Sequence, residues 1–184
     1  MKISRLAGIL IAGVLSCAAL PSFAQVVMVG GAAMYPTKDI IDNAVNSSDH
    51  TTLVAAVKAA GLVDTLKGKG PFTVFAPTNA AFSALPAGTV DSLLKPENKA
   101  TLTKVLTYHV VAGNMDAAAL MKAISDGGGK ATLKTVSGGT LTAMKSGSGI
   151  TVTDEKGGTA GVTIADVKQS NGVIHVVDKV LLPA

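Results

Sequence analysis

Up to about residue 130 the apolar positions mostly recur at helical spacing, and beyond it they fall into short β-branched runs broken by glycine. Residues 25–36 are apolar and glycine-containing without a clear period, and are expected to form an extended N-terminal arm. From Thr37 a helix is predicted, with Asp39 and Asp42 in its first turns and Ile40, Ile41, Ala44 and Val45 facing inward. A second runs from Thr51 to Ala60, with Asp49 as its expected cap, Leu53, Val54, Val57 and Ala60 as its core face and Gly61 as its stop. A turn at Leu62 to Leu66 leads into Gly68, Lys69 and Gly70. Phe72 to Ala76 then reads as a strand buried on both faces, and Thr78 as the cap of a helix carrying Ala81, Phe82 and Leu85. Further helices are predicted at Thr89 to Leu94, Pro96 to Thr107, and Ala117 to Ile124 behind Asp116, closed by the triple glycine at 127–129. Past Lys130, strands are expected at 131–136, 140–144, 150–153, 162–167 and 173–181, the last entered through Asn171-Gly172. Helices first and strands after give an α+β class.

Three segments stand out: FTVFAPTNAAF at Phe72 to Phe82, YHVV at Tyr108 to Val111, and NGVIHVVDKVLLP at Asn171 to Pro183. In this order and spacing they resemble the signature segments of the fasciclin (FAS1) domain family, over nearly all of the chain after residue 35. The resemblance implies one FAS1-type β-sandwich wedge over residues 37–184, covered by a layer of helices, and an extracellular interaction module usually involved in adhesion. Phe72, Phe75, Pro77, Thr78, Asn79, Phe82, Asn171, Gly172, His175 and Asp178 are expected to be architectural, with Asn79 tying its turn to neighbouring backbone.

Two places match adhesive segments that the resemblance implies for animal members. One is the Tyr108-His109 pair flanked by aliphatic residues, the implied integrin-contact motif. The other precedes the last strand, where a Glu-Pro-Asp-Ile-Met motif is replaced by Ile164, Ala165, Asp166, Val167 and Lys168; only Asp166 is retained, with Val167 close in kind. Tyr108, His109, Asp166 and Val167 are therefore the candidate interaction residues. The competing and favoured reading of the pair is that Tyr108 packs with its hydroxyl bonded and His109 is a satisfied neutral histidine.

Composition narrows the partner. Lys2 and Arg5, an apolar run from Leu6 to Leu15, and Ser22-Phe23-Ala24 read as a signal peptide over residues 1–24. Cys17, the one cysteine, falls inside it, and Val14-Leu15-Ser16 is a poor lipidation context. Removing Lys2 and Arg5 takes the basic count from 16 to 14 against 12 acids, about +2. The lysines form no run and there are only 2 Tyr, 4 Phe and no Trp, so neither nucleic-acid binding nor a sugar-stacking platform is expected. No stable membrane insertion is expected after cleavage, and the expected location is secreted or periplasmic.

Signals for catalysis are weak. His50, His109 and His175 lie far apart without ligand-spaced partners, so no cofactor or metal is expected. Gly127 to Lys130 lacks the spacing of a phosphate loop, Asp154-Glu155 reads as a solvated turn, and the sequon at Asn46 carries little weight in a chain with a bacterial-style leader. The expected function is a non-catalytic adhesion or interaction module whose partner is a surface or matrix protein or glycan. The alternative is a periplasmic small-molecule or lipid carrier, or a cryptic hydrolase, which would need an interior pocket of about 300 Å³ or more.

Overall fold

The computed structural model describes residues 26–184; the expected leader, its cleavage site after Ala24, and Cys17 lie outside the described residues. The chain opens with a hairpin, β1 (Val27–Val29) and β2 (Ala32–Met34), turned at Gly30-Gly31, both with positive φ. This corrects the expected extended arm: Val29 and Met34 are buried, and the hairpin packs on the core. Helix α1 (Ile40–Ala44) starts three residues later than expected, because the Asp39 carboxylate accepts from Asp42 N at 2.8 Å and fixes the cap there. Asp49 is not a cap; it lies in a 3₁₀ turn (Ser48–His50) leading into α2 (Thr51–Ala60), which Gly61 stops in the left-handed conformation. The turn expected at Leu62 forms a helix instead, α3 (Val63–Lys67).

The central strand β3 (Phe72–Pro77) is followed by α4 (Asn79–Ser83), with Thr78 Oγ1 accepting from Ala81 N at 3.3 Å. Then come α5 (Thr89–Leu94), a 3₁₀ turn (Pro96–Asn98), α6 (Lys99–Tyr108), β4 (Val110–Ala112) and α7 (Ala117–Asp126), the last capped by Asp116. Five strands complete the chain: β5 (Lys130–Lys134), β6 (Thr140–Ser146), β7 (Gly149–Thr153), β8 (Thr159–Gln169) and β9 (Gly172–Val177). They form one sheet with β3 and β4, ordered β4-β3-β9-β8-β7-β6-β5, and a bridge from Val111 to Thr135 brings its two ends together, so the sheet is nearly closed.

Alternation along β3 decides where the two cores lie. Val74 and Ala76 face a core shared with α1, α2, α6 and the hairpin, while Phe75 faces the interior between the two halves of the sheet. Strand β9 pairs with β3 in parallel and divides the same way, Ile174 and Val176 toward the helices and Val177 inward. Both faces of this pair are covered, which is why the strands read as continuous apolar runs. The pairing begins at two glycines that admit no side chain: a Cβ on Gly70 would lie 2.0 Å from Asn171 O, and one on Gly172 would lie 2.0 Å from Phe72 O.

Candidate functional site

Tyr108 and His109 end α6 pointing inward, and neither is available to a partner. Tyr108 is 0% exposed; its hydroxyl donates to Thr140 O at 2.6 Å and accepts from Glu155 N at 3.0 Å. His109 is 2% exposed, with Nδ1 against Val105 O at 2.8 Å and Nε2 accepting from Leu181 N at 2.9 Å. That pairing requires a neutral ring, and burial pushes its pKa down to about 4. The pair locks the C-terminal segment onto α6 and the sheet. As a contact surface it is corrected to a buried junction.

Asp166 differs from the pair in keeping part of its surface accessible. It is half-buried, sits in the irregular stretch of β8 with φ 58°, and its Oδ1 accepts from Ala117 N, the first residue of α7, at 2.6 Å. Val167 beside it is 1% exposed and packs in the core under the helices. All four candidate interaction residues therefore make contacts within the fold, and among them Asp166 alone keeps part of its surface accessible.

The architectural residues share a task that local spacing does not show. Asn79 Oδ1 accepts from Thr52 N at 3.0 Å, capping α2 from 27 residues away, while its Nδ2 donates to Ser48 O at 2.8 Å. Asn171 Oδ1 accepts from Ile40 N at 3.1 Å at the start of α1, and its Nδ2 donates to Leu66 O at 2.7 Å at the end of α3. With Asp166 on α7, orphan N–H groups at the starts of three helices are bonded by side chains of distant sequence, from the first residue of α4, the turn before β9 and the irregularity of β8. His175 stacks on Phe75 with centroids 5.6 Å apart and lies 2.7 Å by Nε2 from Met115 O, just before α7; burial lowers its pKa. Asp178 Oδ1 accepts from Gly161 N at 2.8 Å and holds the corner where β8 changes partner. Phe72 and Phe82 pack in the helix-side core, and Pro77 closes β3 opposite Val177.

Between helices and sheet there is a space of about 40 Å³, lined by Ile41, Val57, Val74, Leu106 and Ile174 together with His50. It is far below the roughly 300 Å³ at which small-molecule pockets begin. His50 is 3% exposed, with Nδ1 2.9 Å from Ser47 Oγ and Nε2 unpartnered; desolvation lowers its pKa. Among the described residues no group of three His, Cys, Asp or Glu side chains comes together to hold a metal ion.

The surface is less closed. A groove of about 520 Å³ runs between the loop at 67–71 and the turn at 169–172, at the entry to β3 and β9, with Asn114 beside it. Lys69, Asn114 and Ser170 are exposed along it. A second groove of about 240 Å³ lies over Phe82, between Thr52 and the stretch from Leu85 to Val90. Sequence reasoning missed the larger one because its walls come from three separated stretches. Its only sequence signals are the glycines of 68–70 and Asn171-Gly172, which read there as turns.

Comparison with known proteins follows this geometry. Residues 48–183 match the family model for the Fasciclin domain. The chain is 48% identical over 157 residues to Protein sll1483 of Synechocystis, covering 85% of this chain and 79% of that one. It is 40% identical over 122 residues to the Cell surface glycolipoprotein MPB83 of Mycobacterium bovis, covering 66% of this chain and 48% of that protein. Among solved structures, the FAS1 domain pair of the insect cell adhesion molecule Fasciclin I superposes with a TM-score of 0.69 at 18% identity, over 79% of this chain and 51% of that one, a likeness of fold. No helix among the described residues is long and apolar enough to cross a membrane.

Proposed function

The chain belongs to the fasciclin domain family, and on that premise we propose that it is a secreted or periplasmic module that works by binding at a surface and performs no catalysis. It engages a cell-surface, matrix or host component, protein or glycan, in adhesion. The observation that carries this reading is the contrast between inside and outside. The interior space of about 40 Å³ cannot hold a substrate or carried lipid, whereas the groove of about 520 Å³ at residues 67–71 and 169–172 is open and lined with polar groups. The description of the M. bovis relative as a cell-surface protein points to the same kind of location. Nucleic acid does not fit, since the lysines are scattered and the aromatics that would stack bases are few.

The test is capture of surface and matrix components on the immobilised exported protein, repeated with Lys69→Glu and Asn114→Arg. Both residues are exposed, so the variants are expected to keep the parent's circular dichroism and melting temperature and to lose at least tenfold in affinity for a captured component. Retention of a small molecule or lipid through purification, seen by native mass spectrometry, would replace this reading with the carrier.

A further inference from the structure

Among the described residues, five large apolar side chains are conspicuously exposed, and three of them lie on one face of the N-terminal hairpin or at its mouth. Met28 is 58% exposed, and Val26 and Tyr35 are each 44% exposed. The ladder pairs Met28 with Ala33 and Val27 with Met34, which places Val26 across from Tyr35. Val26, Met28, Ala33 and Tyr35 therefore share the outward face, while Val27, Val29, Ala32 and Met34 pack inward. A surface hairpin ordinarily alternates apolar inside with polar outside; this one is apolar on both faces.

Its edge is equally unguarded. Among the described residues, β1 belongs to a two-stranded sheet in which β2 is the one strand beside it. With Val29 and Ala32 flanking the two-residue Gly30-Gly31 turn as a bonded pair, the N–H and C=O of Met28 point away from β2. Neither strand carries a proline, a charge or a bulge, the devices that protect natural sheet edges. The hairpin is also held rigid: Ser48 N and Oγ donate to Gly30 O, and Asn43 bonds both Tyr35 N and Tyr35 O. An edge fixed in advance loses little entropy on pairing.

We propose that this hairpin is a self-association site, β1 of one copy pairing antiparallel with β1 of a second about a two-fold axis and covering Val26, Met28 and Tyr35. A second copy is the occupant because antiparallel edge pairing is self-complementary: whatever one strand presents, its twin accepts. The charges nearby fit that symmetry. Lys38, with its ammonium 5.3 Å from the Tyr35 ring centroid, stands at the mouth of the hairpin, and Asp49 lies against Gly30 at its turn, where a Cβ would come 3.0 Å from the Asp49 Cβ, so antiparallel pairing brings opposite charges toward each other across the axis. Only three residues of strand and a small apolar face take part, so the association is weak and reversible. The inference goes beyond the adhesion reading and does not depend on it.

Sedimentation equilibrium of the protein exported from the full 184-residue sequence tests this between about 10 μM and about 1 mM, the range open to so small an interface. The parent is expected to pass from monomer to dimer across the range. Met28→Lys and Val26→Lys, which restore an edge charge at exposed positions, should each raise the dissociation constant at least tenfold. Val136→Lys, at an exposed apolar residue outside the hairpin, should leave it unchanged. A parent that stays monomeric to the top of the range overturns the proposal, even if the same face binds vesicles or another protein. So does a dimer that both hairpin variants form as readily as the parent; should one variant misfold, the other and the parent's own concentration dependence still decide.

Discussion

Asp166 is held with φ 58° at the irregularity of β8, where most side chains are strained, and its carboxylate reaches the first N–H of α7. Both facts select the residue: Asp and Asn tolerate the left-handed region, and either supplies an oxygen for the helix start. Asp166→Asn should therefore cost less than about 1 kcal/mol, whereas Asp166→Ala loses the cap and meets the strained backbone without a compensating bond, costing about 1–2 kcal/mol. Urea unfolding of both variants checks the order, and equal losses would show that the bond to Ala117 does not matter. The sequence made Asp166 visible through a family motif, yet its task was not legible there, because the partner lies 49 residues away on another element. Asn79 was legible in kind, a side chain tying a turn to backbone. That the backbone belongs to α2 explains why α2 starts without a side-chain cap of its own.

At the level of elements, α2 and α5 have the bounds read from the sequence, and β3 with α4 differs from its reading by only a residue or two. A strand covered on both faces leaves a continuous apolar run, and a Thr after proline in front of a helical apolar stripe leaves little choice of cap. The first hairpin was not legible: three-residue strands are too short for alternation to show, and a face that stays apolar on both sides erases the period altogether. Phe82 carries a direct test of the central element. It is 6% exposed and joins Val74 and Val176 in the helix-side core, so Phe82→Ala should lower unfolding free energy by about 3–5 kcal/mol in chemical denaturation. A loss under about 1 kcal/mol would mean that α4 barely contributes to that core.

Across the whole molecule, the class and the order of elements could be read from the period change near residue 130, while the open groove could not, since residues 67–71, 114 and 169–172 meet only where β9 and β4 pair with β3. Burial on folding also sets how stability responds to acid. Three histidines end up buried and neutral: His109, with its pKa pushed down to about 4, and His50 and His175, both lowered by desolvation. In the unfolded chain each takes up a proton near pH 6.5. Above that pH both states are neutral and the histidines add no pH dependence. As pH falls, the unfolded chain binds protons that the native state refuses, so stability is lost progressively from about pH 6.5 and, for His109, fully by about pH 4. His109 alone accounts for about 3 kcal/mol over that window. Glu155, whose carboxylate is held below its usual range first by its bond from Thr140 N and then by that from Ala184 N, steepens the loss at the acid end. Protonating His109 also turns the acceptor of Leu181 N into a donor, so the C-terminal segment should be the first part to loosen. Urea unfolding at pH 7, 5.5 and 4, with amide exchange followed at Leu181, should show free energy falling across the series and Leu181 losing protection ahead of the β3–β9 ladder. A flat profile from pH 7 to 4, or loss of protection everywhere at once, would mean that these rings do not control the acid limit of the fold.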